Sequence, residues 1–132
     1  MSESILARLN DEEARRWDRS KDISLFTKNS YSIFVGRNSE ANDALVSTHN
    51  HPKCIWFHAE EGRGSHVILC CVNLPDPSDE IMHFAADLAK RFSKTEGHKV
   101  RYAYWENVFK PQGFGKGSWK SRTAAVYDLA LR

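Results

Sequence analysis

The feature that most constrains this chain is a pair of short apolar segments on either side of a glycine-rich turn. Cys54-Ile55-Trp56-Phe57-His58-Ala59 is rich in aromatic and β-branched residues, and His66–Val72 answers it after Glu60-Glu61-Gly62-Arg63-Gly64. Both have strand length and composition, so they are expected to form an antiparallel hairpin. Pairing about Gly62 sets opposite one another residues whose numbers sum to 124. His58 then faces His66, Trp56 faces Ile68 and Cys54 faces Cys70. Side chains alternate along a strand, so these six share one sheet face, with opposed Cβ atoms roughly 5 Å apart. Two histidines are thus expected side by side next to a turn that carries Arg63, while Ser65 points to the other face.

The remaining chain supplies partners for that hairpin. Ser78 caps a helix expected over Asp79–Ser93, where Ile81, Phe84, Ala85, Leu88 and Phe92 recur at helical spacing and make one apolar face. Asn38 caps a second helix running to Thr48. Strands are expected at Ser24–Thr27, Ser32–Val35, Val100–Trp105, Asn107–Lys110 and Thr123–Leu131. Ser4–Arg19 reads as helical, with Asn10 and Glu13 as a capping box, and forms a basic lead-in over residues 1–22 that includes Arg15, Arg16 and Trp17. Hairpins mix with helices without regular βα alternation, so the expected class is α+β. One domain over residues 1–132 is expected, with a mostly antiparallel sheet and two or three packed helices. Its 41% hydrophobic and 27% charged residues suffice for a core of its own. Three cysteines, two of them adjacent, make no disulfide framework and suit a reducing, cytoplasmic setting. No secretory signal or apolar run of membrane-spanning length is read in the chain, so no membrane partner is expected.

The hairpin admits three chemical readings. Arg63 and the glycine amides can meet a phosphate, with the histidines hydrogen-bonding it or stacking on a base. Metal binding by His58 and His66 needs further ligands, and Cys54 and Cys70 lie about 13 Å away along the strands. Catalysis by Ser65 needs a histidine base that meets it in space. No metal, cofactor or catalytic residue is expected. A net charge of +2 permits a polyanionic partner without demanding one. Gly36-Arg37-Asn38 ends a strand and opens a helix, whose N-terminus suits phosphate, with Arg37 as a clamp. Asn42 is placed to meet a base edge or to brace the histidine loop. Asp43 is placed to favour the helix dipole or to pair with Arg37. Lys110, Lys116, Lys120 and Arg122 bracket a glycine loop with Phe114 and Trp119, a basic and aromatic mixture suited to single-stranded nucleic acid.

Several of these segments together resemble one family. Tyr31-Ser32-Ile33-Phe34-Val35-Gly36-Arg37-Asn38, then Asn42-Asp43 and Leu45, resembles the NFACT-R signature. Ile55-Trp56-Phe57-His58-Ala59 looks like its tryptophan-and-histidine strand, and Gly64-Ser65-His66-Val67 is similar to its Gly-Ser-His motif. Ala85-Ala86, Leu88-Ala89 and Phe92-Ser93-Lys94 resemble its following helix, and Val108–Gly117 its late segment. Cys54 departs from the pattern, standing where the family usually has aspartate. The resemblance implies an RNA-binding module rather than an enzyme. In larger NFACT proteins it accompanies domains that engage the large ribosomal subunit and tRNA during rescue of stalled nascent chains. RNA, as tRNA or rRNA, is then the expected partner, with a translation factor as a further one. Its expected contacts are Arg37, Asn38, Asn42 and Asp43; Trp56, His58, Arg63, Gly64, Ser65 and His66; and Lys110 and Lys116. The alternatives are a small enzyme acting on a nucleic acid or nucleotide through His58 and His66, and a protein-interaction module.

Overall fold

The computed structural model describes residues 23–131, apart from 62, 63, 114, 116 and 124. The helical lead-in expected over residues 1–22 lies outside the described residues. The elements follow in the order β1 (Ile23–Lys28), β2 (Tyr31–Gly36), α1 (Ser39–Thr48), β3 (Cys54–Ala59), β4 (Val67–Cys70), α2 (Asp79–Ser93) and β5 (Lys99–Tyr104). A 3-10 turn at Trp105–Asn107 leads to β6 (Val108–Phe109), β7 (Lys120–Ser121), β8 (Val126–Asp128) and a second 3-10 turn at Leu129–Leu131. Six strands form one antiparallel sheet in the order β1-β2-β4-β3-β5-β8, and β6 pairs with β7 separately. The fold is α+β and a single domain.

The central hairpin takes the expected register: Cys54 is opposite Cys70, Trp56 opposite Ile68, and Phe57 opposite Val67. Alternation then divides the core into two layers. Ile33, Val35, Ile55, Phe57, Val67 and Leu69 face α2, which meets them with Ile81, Ala85, Ala86, Leu88 and Ala89. Phe34, Cys54, Trp56 and Ile68 face the other way, onto Leu45 and Val46 of α1. Each of the large side chains buried here contributes about 1.5–3 kcal/mol. Ser78 accepts the Ile81 N–H at 3.5 Å, and acidic residues open α2 while Lys90 and Arg91 close it, matching its dipole.

Three expected strands are shorter than their sequence pattern. Asp128 accepts the backbone N–H of Ala130 at 3.0 Å, a local turn that stops β8 where continuous strand was expected to Leu131. Trp105–Asn107 coils before Val108 and leaves β6 only two residues. β4 likewise begins one residue after His66, although the His66 carbonyl still accepts the Gly36 N–H at 2.9 Å.

Two glycines sit where backbone meets helix. A Cβ at Gly36 would stand 3.1 Å from Asn42 Cα, and one at Gly64 would stand 2.8 Å from Ser93 Cβ and collide with its hydroxyl. Gly64→Ala is therefore expected to destabilise the domain by about 1–3 kcal/mol, the usual cost of overpacking. A lower urea midpoint at unchanged m-value is the measurement.

Candidate nucleic-acid interface

The strand ladder of the hairpin ends at Phe57 and Val67, and the two histidines lie just beyond it. Their ring centroids are 4.6 Å apart and the rings meet edge to face. Trp56, one residue pair inward on the same face, stacks on His58 at 5.7 Å. Its indole N–H donates to His66 Nδ1 at 3.1 Å. Indole is a donor only, so Nδ1 is the acceptor and the neutral His66 ring carries its proton on Nε2. Burial, and then the neighbouring His58, push the His66 pKa down to about 3. The His58 pKa is lowered too, first by burial, with Lys120 and Arg101 adding to it. This surface therefore presents uncharged imidazoles at neutral pH.

The backbone of the same histidine locks α1 in place. The His66 N–H donates to Asn42 Oδ1 at 3.1 Å, and Asn42 is 6% exposed. Gly36 makes room for that carboxamide. Asn38 caps the helix through Ala41 N–H at 2.8 Å. Of the two roles expected for Asn42, bracing the histidine loop is the one its geometry serves.

Asp43, one residue further, gathers the late loop. Its carboxylate accepts from Lys110 Nζ at 2.9 Å, the Gly117 N–H at 2.8 Å and Trp119 Nε1 at 2.9 Å. Partial burial raises its pKa, but the hydrogen bonds from Lys110, Gly117 and Trp119, with the Lys110 charge, outweigh that and leave it below the ordinary carboxylate value. Of the two roles expected for Asp43, the pairing with Arg37 is corrected: its ion-pair partner is Lys110. Arg37 turns the other way, with its guanidinium 5.7 Å from the Phe92 ring centroid and 3.4 Å from Ser24 Oγ. Gly117 takes a left-handed φ of +78°, and a Cβ there would stand 2.8 Å from Ser39 Cα. The late loop thus lies across the start of α1.

These anchors enclose an open polar pocket of about 630 Å³. It gathers Arg37, Asn38, Asn42, His58, Gly64, Ser65 and His66 from the expected set. Trp56, at 1% exposed, lies beneath it and holds His66 rather than opening onto the pocket. Asp43 and Lys110 are absent from its lining and brace one wall. Arg63 and Lys116 lie outside the described residues. Lys120 and Trp119, which the sequence placed only in a basic loop, line the pocket with Ser39, Gly117, Ser118 and Phe92. The glycines flanking that loop were the available signal. Ser65 Oγ donates to the Phe92 carbonyl at 3.3 Å on the α2 side, and His66 Nδ1 is taken by Trp56, so the two do not form a nucleophile–base pair. Among the described residues no three His, Cys, Asp or Glu side chains converge as metal ligands. No helix among them is long and apolar enough to cross a membrane.

Residues 21–122 match the model of the NFACT protein RNA-binding domain. The chain is similar to the Rqc2 homolog RqcH of Streptococcus suis, at 47% identity over 62 residues, covering 47% of this chain and 11% of that protein. RqcH of Bacillus subtilis is 30% identical over 89 residues, covering 65% of this chain and 15% of that protein. The chain thus spans a small part of the length of these relatives. The solved C-terminal part of the fibronectin/fibrinogen-binding protein from Streptococcus suis superposes with a TM-score of 0.69 at 32% identity, covering 81% of this chain and 44% of that one.

The buried neutral His66 links stability to pH. Its folded pKa of about 3 lies below the unfolded value of 6.5, so the unfolded chain binds the proton first. This contribution is complete above about pH 6.5 and is lost as pH falls toward the folded pKa, at about 1.4 kcal/mol per pH unit. His66→Asn, which keeps an acceptor near Trp56 and removes the titration, is expected to flatten that dependence. Urea midpoints measured between about pH 7 and pH 4.5 check it.

Proposed function

This chain belongs to the NFACT RNA-binding domain family, and from that premise we propose that it binds RNA through the pocket at the start of α1. The observation that carries the reading is the convergence there of two cations, Arg37 and Lys120, with a helix N-terminus and two neutral histidines. Among the described residues Arg37 forms no ion pair, and its planar fork suits a phosphate at the positive end of α1. The neutral rings bring no charge of their own. His66 offers its Nε2–H as a donor, while His58 and Trp119 offer faces on which an unstacked base can lie. Lys110 is neutralised by Asp43, so its part is to hold the loop that brings Lys120 and Trp119 to the pocket.

An unpaired stretch of tRNA or rRNA is the partner class that fits a concave site of this size with stacking surfaces. Membership of the family and the likeness to the RqcH proteins support a role in translation and ribosome quality control, and with it a cytoplasmic setting. Docking of a translation factor finds less support: among the described residues the exposed large hydrophobic side chains are Tyr104, Val126 and Leu131, away from the pocket lining. Turnover through His58 and His66 is likewise less supported, because among the described residues no nucleophile is paired with either ring.

Binding of tRNA, single-stranded RNA and duplex DNA, followed by fluorescence anisotropy across a salt series, tests the proposal. Affinity for the RNAs is expected to exceed that for duplex DNA and to fall as salt rises. Arg37→Ala and Lys120→Ala are each expected to weaken RNA binding on the order of tenfold and to lower the salt slope by about one phosphate contact, with circular dichroism intact. Unchanged affinity in both variants would remove the pocket from the account.

A further inference from the structure

The end of the hairpin far from the histidines holds a second pair of reactive side chains. Cys54 and Cys70 are Cα partners on β3 and β4. The Cys71 N–H donates to the Lys53 carbonyl at 3.2 Å, and the Cys54 N–H donates to the His51 carbonyl at 2.9 Å rather than across the ladder. Cys54 and Cys70 therefore occupy a non-hydrogen-bonded pair, the position where Cα atoms come to about 4.5 Å and opposed side chains are closest. That spacing lies at the short end of the range a disulfide bridges, roughly 4.4–6.8 Å between Cα atoms. Cys71 alternates to the opposite face, buried in the layer under α2, and so is not a competing partner.

We propose that Cys54 and Cys70 are a redox-sensitive dithiol that a hydroperoxide converts reversibly into a cross-strand disulfide. Cys70 is the attacking group, because it is partly exposed while Cys54 is 2% exposed. The contact with Cys54, against the opposing effect of burial, pulls the Cys70 thiol below its ordinary value, and the Val72 N–H and His51 pull the same way. The Cys70 thiolate attacks one peroxide oxygen, the O–O bond breaks, and Cys70 becomes a sulfenic acid as an alkoxide or hydroxide leaves. The Cys54 sulfur then attacks the Cys70 sulfur. The S–S bond forms, the S–O bond breaks, and the departing hydroxide takes the Cys54 proton as water. Two thiols and one hydroperoxide thus give one disulfide, one alcohol or water molecule, and one water. The product staples the two central strands of the sheet at the end away from the pocket.

Exposure of the reduced, folded chain to dilute hydrogen peroxide, then acid quenching, unfolding and alkylation, tests this by mass spectrometry. The expected result is an intramolecular link that removes two hydrogens, about 2 Da, that dithiothreitol reverses, and that leaves one alkylatable cysteine. Fragmentation should join Cys54 to Cys70 and find the alkyl group on Cys71. Cys71→Ala is expected to form the link as the wild type does, and Cys70→Ala to form none. The proposal is overturned if Cys70 accumulates as sulfinic acid beside an alkylatable Cys54, or if the only disulfides formed join separate chains. The wild-type fragmentation pattern decides the matter even if a variant fails to fold.

Discussion

The hydrogen bond from the His66 backbone to the Asn42 carboxamide is the contact on which the functional surface depends. It is buried, it joins residues from α1 and the hairpin, and it exists because Gly36 has no side chain. A buried backbone N–H left without that acceptor would cost about 1–3 kcal/mol, so the helix cannot slide along the sheet without leaving it unpaired. Fixing Asn42 fixes Asn38 one turn earlier and Asp43 one residue later. Asn38 thereby sets the helix N-terminus at the pocket, and Asp43 draws in a loop that lies 67 to 76 residues further along the chain. One interaction thus orders three separate segments around a common space.

Much of this was legible in the sequence because the relevant constraints are local. The hairpin register follows from the symmetry of two apolar runs about Gly62, and it put His58 beside His66 and Cys54 beside Cys70. The caps at Asn38 and Ser78 and the span of α2 followed from side-chain chemistry at fixed spacing. What was not legible were the partnerships of single polar groups across long stretches of chain. Nothing near Asp43 distinguishes Arg37, six residues away, from Lys110 as its partner; the choice is made by the left-handed turn at Gly117 packing on Ser39. Trp56 posed a related difficulty. An indole beside a histidine suits base stacking, yet the alternation that puts it on the histidine face also puts it under α1, where it is covered.

The charge balance gives this interface a particular character. A net charge of +2 supplies little long-range steering, so the work of recognition rests on where individual cations stand. Asp43 removes Lys110 from that number. Burial keeps His66 uncharged, and lowers the proton affinity of His58, so the concave surface combines a few cations with neutral donors and ring faces. Under the proposed reading such a surface would discriminate by shape and unstacked bases more than by phosphate density, as single-stranded or looped RNA requires.

The hairpin joins two kinds of chemistry on one face, and strand geometry keeps them apart. From Cys54 to His58 is four residues, about 13 Å at strand rise, with Trp56 and Ile68 filling the middle. At one end the pairing ladder stops and the histidines line a pocket, which is where the proposed RNA contact lies. At the other end the loop hydrogen bonds to His51 and Lys53 fix the strand ends and hold the opposed cysteines beside one another. The same alternation also turns Cys71, the neighbour of Cys70 in sequence, toward α2. In a sheet covered on both sides by helices, a residue's role is therefore set first by its parity along the strand and then by its distance from the end of the ladder. Residue type alone decides only what chemistry is available once those two conditions are met.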